Sequence, residues 1–227
     1  MAQNRTEAVE KEEMNSLMDE IEKTSEFDFL FFTTLRKTGR RVGELFGIEE
    51  KKIIGRVNRG SRIIYINNEP ISVDRTIPKY KKTGNWIFGV KRKDINFEKG
   101  VMKVWVLKRR EYIQDETILS PELVRLLSKH ISKNKIREED NVFRNQGISL
   151  RQLQNRLKKY AKKAGINKNI KIHTFRHYFI TELKRKGWPD DKIRKLTGHK
   201  STSMIGIYDH IVANDIREDI EEALKDL

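Results

Sequence analysis

Apolar residues recur at helical spacing at the start of the chain. Residues 8–24 place aliphatic side chains on one face and acidic side chains on the other, which predicts an amphipathic helix. The segment 26–37 is so rich in phenylalanine that it predicts a buried helix. Thr38 and Gly39 follow it, and a glycine here favours the left-handed conformation that ends a helix. A short helical turn is expected over 40–45.

The pattern becomes strand-like between residues 48 and 118. Runs of β-branched and aromatic residues alternate there with turns rich in glycine and asparagine. These runs span 62–66, 86–88, 101–107 and 112–119. They predict a small and mostly antiparallel sheet.

Helical spacing returns after Pro121. The predicted helices span 121–132, 149–164 and 174–186, with shorter ones after Pro189 and Ser201 and a last one near 214–227. The sequence therefore predicts a mainly α fold with a small antiparallel β-sheet, of the α+β class.

Composition removes several classes of protein. The chain has 227 residues and no cysteine, which excludes a disulfide scaffold, an iron–sulfur cluster, a cysteine-based zinc site and a cysteine nucleophile. No apolar run is long enough to span a bilayer, and the N-terminus lacks the apolar core of a signal peptide. We therefore expect no membrane partner and a cytoplasmic location.

Charge is unevenly distributed along the chain. The net charge is +15, yet residues 1–28 carry nine acids against three bases and residues 212–227 carry six acids against two. The middle of the chain is therefore strongly basic. Lysine and arginine neutralise phosphates and release counterions, so this distribution favours nucleic-acid binding, although a solvated basic surface would look the same.

Residues suited to phosphate chemistry lie mostly in the last third of the chain. His173 and Arg176 are three positions apart, so a helix would place a proton-transfer group and a phosphate-binding guanidinium on one face. His199 follows a glycine turn, and Tyr208 comes soon after it. With Arg41 from the first part of the chain, these side chains are candidates for a single pocket.

Four segments resemble the conserved boxes of the tyrosine recombinases, the family of phage integrases and Xer-type resolvases. They are Thr38-Gly39-Arg40-Arg41-Val42-Gly43-Glu44-Leu45, His173-Thr174-Phe175-Arg176-His177, Thr197-Gly198-His199 and Ile207-Tyr208, in the family's order and at about its spacing. The resemblance implies the tyrosine-recombinase catalytic-domain fold across residues 1–227. It also implies that Arg41, His173, Arg176 and His199 activate the phosphate and that Tyr208 is the nucleophile.

The family also has a catalytic lysine at the tip of a β-hairpin, and by this resemblance the lysine is Lys108. Lys103 would lie in the middle of a strand. Arg109 and Arg110 keep their protons at ordinary pH, so neither can act as an acid.

The resemblance implies cleavage of DNA through a 3′-phosphotyrosine with no metal and no other cofactor. Two guanidinium groups would stabilise the charge that develops on the phosphate. A phenol has an ordinary pKa of about 10, so Tyr208 must lose its proton during attack, and His173 is the expected acceptor. Lys108 would protonate the departing 5′ oxygen, and His199 would donate to the phosphate.

Simpler roles are open for these residues. Arg40 could act in place of Arg41, and His199 could bond to a helix terminus. Tyr208 could be a core tyrosine. His173 and His177 are spaced like a metal-binding pair, but the glutamate of a zincin motif does not lie between them, so no metal site is expected. We expect His177 to be structural.

The chain departs from the family pattern in two places. The family has a DNA-gripping domain before the catalytic domain, and only about eight residues precede the first helix here. A basic insertion also occupies about residues 48–88, with nine bases and four acids. The insertion could grip DNA, or it could be a surface elaboration.

Double-stranded DNA is the expected partner. The candidate DNA-binding residues are Lys79, Lys81, Lys82, Arg109, Arg110, Arg151, Lys158, Lys159 and Lys162. The family recombines as a tetramer on DNA, so a homo-oligomer is expected. The acidic tail could dock on a neighbouring copy or pack on its own subunit.

The sequence thus predicts a site-specific DNA recombinase or integrase. The alternatives are a noncatalytic DNA-binding protein that retains the fold and a type IB topoisomerase. That class of topoisomerase tends to have lysine where His173 stands and lacks the glycine-histidine box. A pure DNA-binding protein has no need of Tyr208.

Overall fold

The computed structural model of the chain describes residues 8–66, 69–107, 112–144, 147–199 and 201–206. The chain divides into two compact units. One unit is the segment 47–88, and the other comprises the residues before and after it.

Three helices open the larger unit: α1 (Lys11–Thr24), α2 (Glu26–Thr38) and α3 (Val42–Phe46). One apolar face of α1 is buried, whereas α2 is buried on almost all sides. The Ser25 hydroxyl caps the start of α2. Gly39 ends it in the left-handed conformation, with a φ of 60°. The predicted helices are therefore confirmed at this end of the chain.

A three-stranded antiparallel sheet lies in the same unit. It consists of β3 (Ile95–Asn96), β4 (Val101–Leu107) and β5 (Tyr112–Ile118), in that order across the sheet. Residues of β4 alternate between the core and the opposite face, as the period of a strand requires. Its buried side chains include Met102, Val104 and Val106.

The smaller unit is a long two-stranded antiparallel ribbon of β1 (Ile48–Ile66) and β2 (Glu69–Ile87). The predicted antiparallel pairing is confirmed, but the strands form two sheets rather than one. Most of the described ribbon side chains are exposed. The described side chains form no continuous core on either face of the ribbon. Charged residues therefore occur throughout it, and they interrupt the alternation of apolar and polar residues by which a strand is recognised in the sequence.

Five helices complete the described fold. They are α4 (Pro121–Lys133), α5 (Leu150–Lys163), α6 (Thr174–Arg185), α7 (Asp190–Thr197) and α8 (Ser203–Gly206). The hydroxyls of Ser120 and Ser149 cap α4 and α5. These helices confirm the predicted ones to within a few residues, while the helix predicted near 214–227 lies outside the described residues. Among the helices that are described, none combines the length and the apolar composition needed to cross a bilayer.

Helix α2 is the central element of the larger unit. Its Asp28 is buried and accepts hydrogen bonds from the Tyr160 hydroxyl at 2.7 Å and the Arg156 guanidinium at 3.1 Å, both on α5. On α6, the Phe175 ring stacks on Phe32 with centroids 5.0 Å apart. These contacts fix α5 and α6 against α2, and so position the residues at the start of α6.

Candidate active site

The Arg176 side chain joins three segments that are far apart in sequence. It lies in the first turn of α6 and is only 2% exposed. One terminal nitrogen, Nη1, donates to the Gly39 carbonyl at 2.6 Å, and the other, Nη2, donates to the Thr197 carbonyl at 2.7 Å. Nη2 also lies 3.1 and 3.2 Å from the two ring nitrogens of His199. The ends of α2 and α7 thus meet at one guanidinium group.

Gly39 cannot be replaced by a larger residue without disturbing this junction. A Cβ atom at this position would lie 2.2 Å from Cδ1 of Phe179, on α6. Its φ of 60° is also in the left-handed region, where other residues are strained. The glycine therefore allows α6 to approach closely enough for Arg176 to reach the Gly39 carbonyl.

The two adjacent arginines after Gly39 have different surroundings. Arg41 is about one third exposed, and its Nη1 donates to the buried carboxylate of Glu44 at 2.9 Å. Arg40 is 1% exposed, and its Nε donates to the Thr117 hydroxyl on β5 at 2.6 Å. An ion pair of 3.0 Å links Arg40 to Asp115 of the same strand. Arg41 is thus accessible, whereas Arg40 links the turn after α2 to strand β5.

The Thr197 hydroxyl contacts both its own helix and His199. It donates to the Ile193 carbonyl at 2.7 Å and lies 2.6 Å from Nδ1 of His199. A hydroxyl has one hydrogen, so with that hydrogen on Ile193 the second contact is donated by Nδ1–H of the imidazole. Donation from Nε2 to a phosphate needs the other tautomer, in which the Thr197 hydroxyl turns to donate to Nδ1. The Arg176 guanidinium can only donate, and its Nη2 lies 3.1 Å from Nε2, so Thr197 and Arg176 together set which nitrogen of His199 carries the proton.

Replacing Thr197 by valine is expected to shift the tautomer of the His199 ring, whereas Thr197→Ser keeps the wild-type tautomer. The valine preserves shape but removes both contacts of the hydroxyl, to Ile193 and to His199, each of which contributes about 1 kcal/mol. The ring ¹⁵N shifts of His199 in the free protein measure the effect. An unchanged tautomer in Thr197→Val would contradict the role of the hydroxyl.

The histidines near Arg176 are held neutral. Burial, followed by the charges of Arg176 and Arg41, lowers the pKa of His199 to about 3. His173 is exposed at one side, but partial desolvation and then the neighbouring His177, Arg176 and Arg41 lower its pKa to about 4. The pKa of His177 is lowered as well, by burial and by Arg176. All three rings are therefore uncharged at neutral pH.

The low pKa of His199 predicts that mild acid destabilises the protein. Its pKa is lower in the folded chain than in the unfolded chain, so the unfolded chain takes up a proton first as the pH falls below about 6.5. The free energy of unfolding should drop by about 1 kcal/mol at this site between about pH 7 and pH 5.5. Urea denaturation of wild type and His199→Gln measures it, and the variant should lose that part of the pH dependence. Equal pH dependence in both proteins would contradict it.

The loop of His199 also lies next to the end of β4. A Cβ atom added at Gly198 would lie 3.3 Å from Cγ1 of Val106, which is two positions before Lys108. The described end of β4 therefore lies close to His199. Lys108, Arg109, Arg110 and Tyr208 themselves lie outside the described residues.

The candidate DNA-binding residues of α5 occupy its exposed side. Arg151, Lys158, Lys159 and Lys162 are exposed, while the opposite side of the helix is buried. On β2, Lys79, Lys81 and Lys82 are also exposed. The structure thus places every described member of the predicted DNA-binding set at the surface.

Sequence reasoning missed two positioning residues. The Gln154 amide donates to the Ile170 carbonyl at 3.2 Å and accepts from the Ile172 amide at 3.0 Å, which holds the segment before His173 against α5. Glu44 accepts from both the backbone and the side chain of Arg41. Glu44 lies in the first of the four segments that resemble the family, but neither that resemblance nor helical spacing indicates that it holds Arg41.

Comparison with solved structures matches the fold. A crystal structure of XerA recombinase has a TM-score of 0.63 and 19% sequence identity, with 98% of this chain and 66% of that chain covered. A XerH site-specific recombinase bound to a palindromic difH substrate, in a post-cleavage complex, has a TM-score of 0.64 and 17% identity, with 95% of this chain and 52% of that chain covered. The chain has the fold of tyrosine recombinase catalytic domains.

Sequence comparison identifies the family. Tyrosine recombinase XerA of Saccharolobus solfataricus is 32% identical over 144 residues, which are 62% of this chain and 45% of that protein. The chain thus spans less than half the length of this relative. The model of the phage integrase family matches residues 84–215, a range that contains His173, Arg176, His199 and Tyr208. Because that match covers more than half of the sequence, the chain belongs to the phage integrase family.

Proposed function

We propose that this protein is a site-specific recombinase or integrase that cleaves and rejoins DNA through a covalent bond to Tyr208. The observation that carries the proposal is the set of contacts made by Arg176. One buried guanidinium bonds to Gly39 beside Arg41 and to Thr197 beside His199. The segments that contain four of the candidate catalytic residues therefore converge at one position.

In the proposed reaction, a DNA phosphodiester lies against Arg41 and Arg176. Two guanidinium groups supply charge-assisted hydrogen bonds where negative charge develops in the transition state. Arg41 suits this role because Glu44 holds it while about one third of its side chain remains exposed. Arg176 is fixed by its two carbonyl partners, so its position is set before DNA binds.

Proton transfer accompanies the attack. The phenolic oxygen of Tyr208 forms a bond to phosphorus while the bond from phosphorus to the 5′ oxygen breaks. His173 accepts the phenol proton, because the neutral imidazole has a free lone pair on one ring nitrogen. Lys108 gives a proton to the departing 5′ oxygen, and His199 donates to the phosphate. A DNA hydroxyl later reverses these steps and releases Tyr208.

Exposed bases outside the pocket hold the DNA backbone. The exposed side of α5 carries Arg151, Lys158, Lys159 and Lys162 for this purpose, and Arg109 and Arg110 follow the proposed catalytic lysine. Such contacts position a duplex without reading its sequence. We further propose that the chain acts as a homo-oligomer, a tetramer on DNA, and that residues 1–227 form the catalytic domain with the segment 48–88 inserted.

A suicide DNA substrate tests the proposal. Such a substrate carries a nick near the cleavage site, so the short cleaved strand diffuses away and the covalent adduct accumulates. The expected result, with EDTA present, is an adduct that survives SDS and maps to Tyr208. A DNA-binding protein without activity would give no adduct, a topoisomerase would also relax plasmids without site preference, and a requirement for added magnesium would contradict the mechanism.

A further inference from the structure

The register of the two-stranded ribbon separates its lysines onto two faces. In an antiparallel pair, residues opposite each other share a face, and residues two apart along a strand share it too. Lys81 lies opposite Lys52, Lys79 opposite Gly55, and Ile77 opposite Val57. The irregularity near Gly55 adds a residue to β1 only, so β2 alternates without interruption here. Lys52, Lys79 and Lys81 therefore lie on one face, which we call the lysine face.

Lys82 lies on the other face and is already paired. Its Nζ is 2.6 Å from the Glu49 carboxylate. By contrast, within the described part of the chain, no ion pair joins Lys52, Lys79 or Lys81 to a carboxylate. The positive charge of the lysine face is therefore available to an external anion. The charge of Lys82 is largely balanced, so Lys82 is left out of the DNA-binding set proposed below.

Two features of the lysine face destabilise the ribbon on its own. Lys52 and Lys81 lie directly opposite each other, and like charges at opposed positions destabilise a sheet. Val57 and Ile77, farther along this face, are 42% and 43% exposed, although burial would stabilise both. A bound polyanion that also contacts apolar groups would reduce both the repulsion between the lysines and the exposure of the apolar side chains.

We propose that the lysine face binds the backbone and major groove of duplex DNA, as a second DNA-binding surface of this protein. The major groove admits a two-stranded β-ribbon, and thymine presents a methyl group there that Val57 and Ile77 can contact. Lys52, Lys79 and Lys81 neutralise phosphates on either side. The choice of DNA as the anion rests on the proposed function, while the division of the ribbon into two faces does not.

Salt dependence of DNA binding tests the proposal on the full chain. The probe is a fluorescent duplex of arbitrary sequence, titrated between about 50 and about 200 mM salt. Each phosphate contact contributes about −0.9 to the slope of log K against log salt, so Lys79→Gln with Lys81→Gln should flatten the slope by about 1.8. The matched control is Arg56→Gln with Lys82→Gln, which removes the same charge from the opposite face.

The control pair should leave the slope close to that of the wild type. If both pairs flatten the salt slope equally, the effect comes from overall charge and the proposal that the lysine face binds DNA is wrong. The proposal is also wrong if neither pair flattens the slope. A change in self-association with an unchanged slope would assign the face to a second copy of the chain, which also overturns the proposal. Adduct formation is scored separately for each variant at saturating DNA. If the proposed catalysis is wrong, the wild-type protein forms no adduct. The salt slopes test the lysine face independently of that result.

Discussion

Tyr208→Phe is expected to reduce covalent attachment to DNA to the background of the assay. The phenolic oxygen is the atom that would bond to phosphorus, and phenylalanine has no atom to replace it. DNA affinity should stay within about twofold of wild type, because the charges that bind the backbone lie on other residues. The measurement is the yield of SDS-resistant adduct on the suicide substrate, together with binding of an uncleavable duplex.

Tyr178→Phe is the matched control for this variant. Tyr178 packs its ring under the Arg36 guanidinium, 5.5 Å from the ring centroid, and phenylalanine preserves that contact. This variant should form adduct at the wild-type rate. An adduct that persists in Tyr208→Phe would mean that another residue attacks the phosphate.

The helical part of the fold could be predicted because its periodicity is local. In α1 and α5 the buried residues recur at helical spacing, and serine residues mark the starts of α4 and α5. The ribbon gave a weaker signal because most of its described side chains are exposed. Its bases were expected as one group, but only the pairing register shows that Lys81 and Lys82 face opposite ways and that Lys82 pairs with Glu49.

The candidate site, too, could be predicted only in part from the sequence. Sequence alone could not separate Arg40 from Arg41, because both are arginines in the same short turn. The distinction comes from Asp115 and Thr117, which lie on a strand about 75 residues away. Arg156 is a further example, because nothing in the sequence indicates that it binds the buried Asp28 carboxylate on α2. Long-range partners of this kind leave no periodic signal in the sequence.

Arg176 variants are expected to cut the cleavage rate by at least ~10²–10³, the scale for losing one preorganised donor to a developing oxyanion. Alanine at this position would also leave the carbonyls of Gly39 and Thr197 without their buried donors, which costs about 1–3 kcal/mol for each group. Arg176→Lys is therefore the sharper variant. It keeps the positive charge but cannot present two guanidinium nitrogens to separate partners.

Single-turnover cleavage on the suicide substrate, together with urea denaturation, separates the two effects in Arg176→Lys. Arg125→Lys, at an exposed position of α4, is the matched control and should behave as wild type in both measurements. If Arg176 acts on the phosphate, the variant should be folded at the assay temperature and still lose at least ~10²-fold in rate. A folded Arg176→Lys protein that cleaves within about threefold of wild type would make Arg176 a structural link between α2, α6 and α7, and would leave Arg41 as the phosphate-binding arginine.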